Sequence, residues 1–197
     1  MINTSQSELE VLAFPRSIFS VPTRDIVYDP SLLRAIPEPM WFKQDLVEQN
    51  PQFKQIVPFI MFFCDGKALT FTNGSSHSLG LHDHIVFEDG DYLSGFLRIY
   101  NALSIQSVGV PSSRYIGLIN DDTTPFGKTH IGMIHTVHFP YVNPKDPKIA
   151  SRIQEITSIK FCDAAELAIN YENFDDWSKQ CIDQLDILKV KQLGMPL

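Results

Sequence analysis

The apolar positions of the chain fall into short blocks whose periods differ. The longest, Ile56–Phe63 (IVPFIMFF), is continuous over strand length, which predicts a strand buried on both faces at the centre of a sheet. Asp65-Gly66 after it is a hairpin signal, and Lys67–Thr72 (KALTFT) alternates as a returning strand should. Glu10–Phe14 (EVLAF), closed by Pro15, reads as a further strand. Asn73–Ser76 (NGSS) reads as a mobile loop and Leu79–Phe87 (LGLHDHIVF) as extended chain. In Tyr92–Ser104 the apolar residues Leu93, Phe96, Leu97, Tyr100 and Leu103 recur at helical spacing despite Gly95, so an amphipathic helix is expected.

Tyr115–Asn120 and Thr129–Phe139 are predicted strands flanking the polar loop Asp121–Lys128, and Pro140–Lys148 reads as a surface connection. Asp163–Tyr171 and Asp175–Val190 are expected helices, the second carrying an apolar stripe of Phe174, Trp177, Cys181, Leu185 and Leu188. A short helix around Pro30–Ala35 is expected within the proline-punctuated segment Val21–Pro39. The fold class is therefore mixed α/β (α+β), a single domain over 1–197 with residues 1–45 as an N-terminal extension and 160–197 as C-terminal helices. No internal repeat is present.

Composition narrows the function classes. The 197 residues carry 16 Lys and Arg against 23 Asp and Glu, a formal charge of −7 that argues against bulk electrostatic binding to nucleic acid. With 44% hydrophobic residues the chain can bury a sizeable core. No apolar run approaches the roughly 20 residues of a membrane helix. The polar, acidic start Met1–Glu10 lacks a secretory pattern, so a cytoplasmic protein is expected. Cys64, Cys162 and Cys181 show no CxxC spacing, which points neither to a disulfide framework nor to a zinc knuckle.

All six histidines fall between His77 and His138. On an extended segment His82 and His84 would share one face, and with Glu88 they would form half of a metal site; the alternative is ordinary hydrogen bonding at a sheet end. His82, His84, Glu88 and Gly95 also satisfy a cupin motif, with Pro125-Phe126-Gly127 and His130 echoing its second half, although a helix directly after Asp91 conflicts with a jelly roll. Glu88, Asp89 and Asp91 precede a helix carrying Arg98. They read either as cation ligands or as a solvated turn with Asp91 as the helix cap. Asp121-Asp122 reads as a hairpin turn or a ligand contact, and Trp41 as packing or a stacking platform for a base.

In order along the chain, Glu10–Phe14, Asn50–Phe63, Ser78–Ile85, Ile116–Asp122, Pro125–His130 and Trp177-Ser178 resemble the Nudix-like proteins of the predicted-phosphoesterase type. The resemblance implies a Nudix fold, a mixed sheet between helices, with the box helix following Ser78–Ile85. Family members read Gly-Gly-His-Ile where this chain has His82-Asp83-His84-Ile85. Their box continues with Arg-Glu and, further on, Glu-Glu, carboxylates that bind the magnesium activating water against pyrophosphate. Here Arg98 matches, Ile99 stands in the glutamate place, and Asn101–Ser104 supply no acid.

The resemblance therefore implies a nucleotide-binding or protein-interaction module without ordinary Nudix hydrolysis, needing no cofactor. The alternative is a metal-dependent phosphohydrolase using magnesium, manganese or zinc, with His82, His84 and Glu88 as relocated ligands, Glu88, Asp89 and Arg98 as catalytic groups, and Trp41, Asp121, Asp122 and His130 contacting the ligand. Expected partners are a nucleotide or phosphorylated small molecule, a protein, or a second copy paired along an apolar edge such as Ile131–Phe139; no membrane partner is expected.

Overall fold

The computed structural model describes residues 9–18, 23, 25–29, 31, 34, 38–142, 149–151 and 156–186. The elements in chain order are β1 (Glu10–Pro15), β2 (Asp25–Val27), β3 (Trp41–Lys43), α1 (Gln44–Val47), β4 (Phe53–Cys64), β5 (Lys67–Asn73), β6 (Ser76–Ser78), β7 (Gly80–Leu81), α2 (Tyr92–Asn101), β8 (Leu103–Ile105), β9 (Ser112–Asn120), α3 (Pro125–Thr129), β10 (His130–Phe139), β11 (Ile149–Ser151), β12 (Ser158–Cys162), α4 (Ala164–Ile169) and α5 (Asp176–Asp183). The main sheet is mixed, with the path β12-β5-β4-β10-β9-β2 and β1, β6 and β7 on its margins. β4 and β10 run parallel at its centre from Gln55↔His130 to Cys64↔Phe139.

The continuous apolar run of β4 follows from this position. Ile56, Ile60, Phe62 and Cys64 enter one core cluster together with Phe96 and Ile99 of α2. Val57, Phe59, Met61 and Phe63 enter a second cluster with Leu167 of α4 and Trp177 and Cys181 of α5. Alternate residues point to opposite faces, so a strand covered by helices on both sides needs apolar residues at every position. The sheet thus lies between α2 and the pair α4 and α5, the mixed architecture expected.

The hairpin after β4 turns at Asp65 (φ 48°) and Gly66 (φ 72°), the two left-handed residues that match the strand twist. Gly95 has a different reason to be glycine. A Cβ there would stand 2.5 Å from Ile85 Cδ1 and 2.8 Å from Asp89 Oδ2, so α2 lies against the segment 85–89 closely enough to forbid a side chain. Gly95→Ala is expected to destabilise the protein by about 1–3 kcal/mol in spite of the better helix propensity, read from the urea midpoint.

Several expectations are corrected. Leu79–Phe87 is not one extended element: β7 ends at Leu81, and the chain then leaves the edge of β4 to reach β1, where Leu12 N donates to Ile85 O and Val11 bridges Val86. Asn73–Ser76 is a tight turn joining β5 to β6, with Asn73 paired to Ser76. α2 stops at Asn101, because Leu103 turns into the core and β8 pairs with β11. The loop Asp121–Lys128 contains most of α3, capped by the Thr124 hydroxyl accepting from Gly127 N. Residues 158–162, of which 160–162 were expected in a helical C-terminal segment, form β12 against β5. β10 is paired on both sides, so Ile131–Phe139 offers no edge to a second copy. The helix expected around Pro30–Ala35 and the end of the last helix with Leu188 lie largely outside the described residues, as do 143–148 of the surface connection. Among the described residues no helix is long and apolar enough to cross a membrane.

His135 of β10 faces α2, only 6% exposed, with its Nε2 2.8 Å from Tyr92 Oη and the Phe96 ring 4.3 Å away. Burial pushes its pKa down to about 3. The unfolded chain takes up that proton near an ordinary histidine pKa of about 6.5. Stability is therefore complete above that value and is lost as pH falls toward 3, with a slope of at most about 1.4 kcal/mol per pH unit from this group. His135→Gln keeps a partner for Tyr92 and is expected to flatten the acid limb of stability between pH 6.5 and 4, checked by urea unfolding.

Candidate functional site

The site forms where three separated segments meet at one end of β4 and β10. Glu48 follows α1 directly, its N–H donating to Gln44 O, and α1 is fastened to β1 by Gln44 N donating to Leu9 O. His84 lies on the irregular segment between β7 and β1. His130 is the first residue of β10 and is fully buried. His84 Nε2 and His130 Nε2 are 3.2 Å apart, and Glu48 Oε2 stands 3.8 Å from the first and 3.9 Å from the second. Three atoms at these separations share a point about 2.1 Å from each, the length of a zinc–imidazole bond.

A hydrogen bond sets the tautomer of one of these imidazoles. His130 Nδ1 donates to Phe126 O at 3.0 Å, which leaves Nε2 as the acceptor facing the cluster. Burial disfavours the charged form of both imidazoles: it lowers the pKa of His84, and together with His84 alongside it lowers His130 to about 4. Burial would raise the Glu48 carboxyl, but hydrogen bonds from Gln55 Nε2 at 3.1 Å and from Gln44 oppose it, and the carboxyl lies below its ordinary value. The second polar atom of Gln55, Oε1, is buried with no hydrogen-bond partner among the described residues, an acceptor that a hydrated ion would satisfy.

The donor set discriminates among cations. Two imidazoles and one carboxylate suit zinc, and the same set with an open fourth position occurs in catalytic zinc sites. Of the three groups Glu48 is the most exposed, with 41% of its side chain open to solvent. Magnesium prefers oxygen ligands. The helix α2 that follows Ser78–Ile85 carries Arg98 and neither Asp nor Glu.

Of the residues singled out in the sequence, the structure brings His84 and His130 together and adds Glu48. Glu48 lies 36 and 82 positions from its partners and belongs to no local pattern. Glu88 is exposed on the turn Phe87–Asp89, outside the cluster. His82 does not share a strand face with His84: its ring lies 5.8 Å from Phe126, 5.9 Å from Phe59 and 6.3 Å from Trp177. Asp89 receives Arg98 Nε at 2.8 Å and Nη2 at 3.0 Å, and Val86 N at 2.9 Å. Arg98 also reaches Asp83 at 3.2 Å and His84 O at 2.6 Å, so it secures the segment carrying His84. Asp91 caps α2 through Ser94 N.

Asp121 is buried and accepts from Thr123 and from Gln180 Nε2 at 2.8 Å. Asp122 receives Lys54 Nζ at 2.6 Å and Arg16. Trp41 packs edge-on against Phe87, 5.7 Å between ring centres.

No protein-family model and no curated protein matches the sequence significantly. The architecture superposes on the crystal structure of Tm1382, a candidate Nudix hydrolase, with a TM-score of 0.73 over 91% of this chain and 99% of that one at 18% identity. The chain has the Nudix fold. Weaker likenesses include a Nudix-family hydrolase from Clostridium perfringens (TM-score 0.44, 14% identity, 66% of this chain and 97% of that one) and the E. coli dihydroneopterin triphosphate pyrophosphohydrolase (0.41, 11%, 71% and 97%). On this Nudix fold the Glu48-His84-His130 cluster sits beside the N-terminal ends of β4 and β10, supported by α3 beneath it, rather than on the surface of α2.

Proposed function

We propose that the protein is a metal-dependent phosphohydrolase of the Nudix fold in which Glu48, His84 and His130 hold the divalent cation in place of an acidic box on α2. The observation that carries this reading is the convergence of three ligand atoms from three distant segments, two of them imidazole nitrogens, with the lone pair of His130 Nε2 left free by the bond from Nδ1 to Phe126 O. A divalent cation held there supplies Lewis-acid polarisation of a phosphoryl oxygen and a more acidic water. The chain's own groups do the positioning: Phe126 O fixes the tautomer of His130, Arg98 fixes the segment of His84, and Gln55 orients Glu48.

Lys54, Arg16 and Arg98 are each engaged by carboxylates, so a cation in the cluster would add positive charge that these three do not offer a phosphate. A nucleoside diphosphate derivative or a phosphoester is the substrate class in keeping with the Nudix fold. Glu88 and Asp89 act in this reading through the loop they shape, and Asp122 through Lys54, whose ammonium also holds His130 O.

Protein loaded with zinc or manganese is expected to release product from at least one member of a panel of nucleoside diphosphate derivatives, dinucleoside polyphosphates and simple phosphoesters. His84→Ala is expected to lower the rate on the order of 100-fold. Metal-loaded, folded protein without turnover on any of them would overturn the hydrolase reading and leave a nucleotide-binding or protein-interaction module, the outcome that the acid-free α2 helix favours.

A further inference from the structure

Beside the metal cluster lies a cavity of about 330 Å³ lined by His82, Thr124, Pro125, Phe126, Asp175, Asp176 and Trp177. Its walls are aromatic: Phe126 and Trp177 meet edge to face with centres 5.0 Å apart, and the His82 ring stands 5.8 Å from the first and 6.3 Å from the second. Among the described residues that line it the only carboxylates are Asp175 and Asp176, and none is Lys or Arg. The positive end of α5 points no surplus charge into it, since Asp175 caps that helix through Ser178 N and Asp176 sits in its first turn. Phe126 is 39% exposed and lines the cavity, while its ring stacks on His130, 4.0 Å away and 10° from parallel. One wall of the cavity is therefore the backing of the buried metal ligand.

We propose that this cavity binds an alkylammonium group, so that the substrate of the site is the phosphate ester or anhydride of a cationic alcohol. An aromatic enclosure with an acidic rim attracts a weakly hydrated cation through the ring quadrupoles and through charge, and it repels a phosphate, which is directed to the cluster on the far side of Phe126. As a ligand site the cavity stands on its own geometry. As the specificity pocket it rests on the hydrolase reading.

Calorimetric titration of the metal-free protein with choline, and with the neutral isostere in which a tert-butyl group replaces the trimethylammonium, separates the two claims. Choline is expected to bind at least tenfold more tightly than the isostere, and both Phe126→Leu and the exposed Asp176→Asn are expected to weaken choline at least tenfold. Equal binding of the isostere, no binding of choline, or an unchanged affinity in Asp176→Asn with the fold intact would overturn the pocket assignment. Choline binding without turnover of any phosphate compound, phosphocholine included, would uphold the ligand site, end the hydrolase reading and overturn the role of the pocket in substrate choice. Turnover of other phosphoesters with no choline binding would uphold the hydrolase reading and overturn the pocket both as a ligand site and as the determinant of substrate choice.

Discussion

Zinc at a hundredfold excess over its dissociation constant is expected to stabilise the wild-type protein by about 2.7 kcal/mol, and His130→Ala to lose that gain. For a chain of this length the shift corresponds to roughly 5–10 °C in Tm. The effect follows from mass action, because the three ligand atoms are together only in the folded state: Glu48, His84 and His130 come from segments held in place by α1, by the crossing to β1, and by the start of β10. His130 is the strongest point of attack, since it is fully buried and its other nitrogen is fixed by Phe126 O. Removing its ring also leaves a cavity beneath Phe126, so the readout is the difference between scans with and without zinc. Glu48→Gln serves as the second variant, being nearly the same shape at a half-exposed position, and should weaken zinc while leaving the metal-free Tm close to that of the wild type. Equilibrium dialysis is expected to give one zinc per chain in the wild type. A zinc-induced shift of equal size in His130→Ala would remove the cluster as a metal site.

Lys54→Met is expected to cost about 3–5 kcal/mol of folding stability, the largest effect of any single change considered. Lys54 lies in β4 with 2% of its side chain exposed. Its ammonium donates to Asn120 Oδ1 at 2.8 Å, Asp122 Oδ1 at 2.6 Å, His130 O at 3.3 Å and Gly127 O. Burial lowers its pKa, while the bond to Asp122 and the charge of Asp122 oppose that fall. A methionine fills the same volume but leaves Asp122 with only Arg16 and Asn120, and two carbonyls with a lost donor. Because two of those acceptors belong to α3 and to His130 itself, the substitution should also weaken zinc binding without touching a ligand. Urea unfolding at neutral pH gives the first number and dialysis the second; a loss below about 1 kcal/mol would show that the network is not what holds α3 against β4.

The elements that could be read from the chain were those whose signal is local. Ile56–Phe63 is apolar at every position because both faces of β4 are covered, and Asp65-Gly66 supplies the two left-handed residues that its hairpin requires. Asp91 caps α2 as its place before the periodic run implies. Misreadings arose where tertiary pairing decides. His82 and His84 alternate along a segment that would be a strand if it had a partner, but the chain there crosses from β4 to β1, and the two rings part, one to the aromatic cavity and one to the cluster. Ile131–Phe139 is a strand in either setting. Only its insertion between β4 and β9 denies it a free edge.

The sequence by itself determined the mixed architecture, the two-sided core strand and the absence of acids on the helix after Ser78–Ile85, because period, turn chemistry and residue type act over a few neighbouring positions. The tertiary structure alone decided which side chains form the site. Glu48 carries no mark that separates it from other glutamates of the chain, and it becomes a candidate ligand only because the parallel register of β4 and β10 places Gln55 opposite His130, with Glu48 hydrogen-bonded to that Gln55. Chemistry that depends on distances of 3–4 Å between residues 36 and 46 positions apart is set by packing in three dimensions, and local sequence pattern holds no record of it.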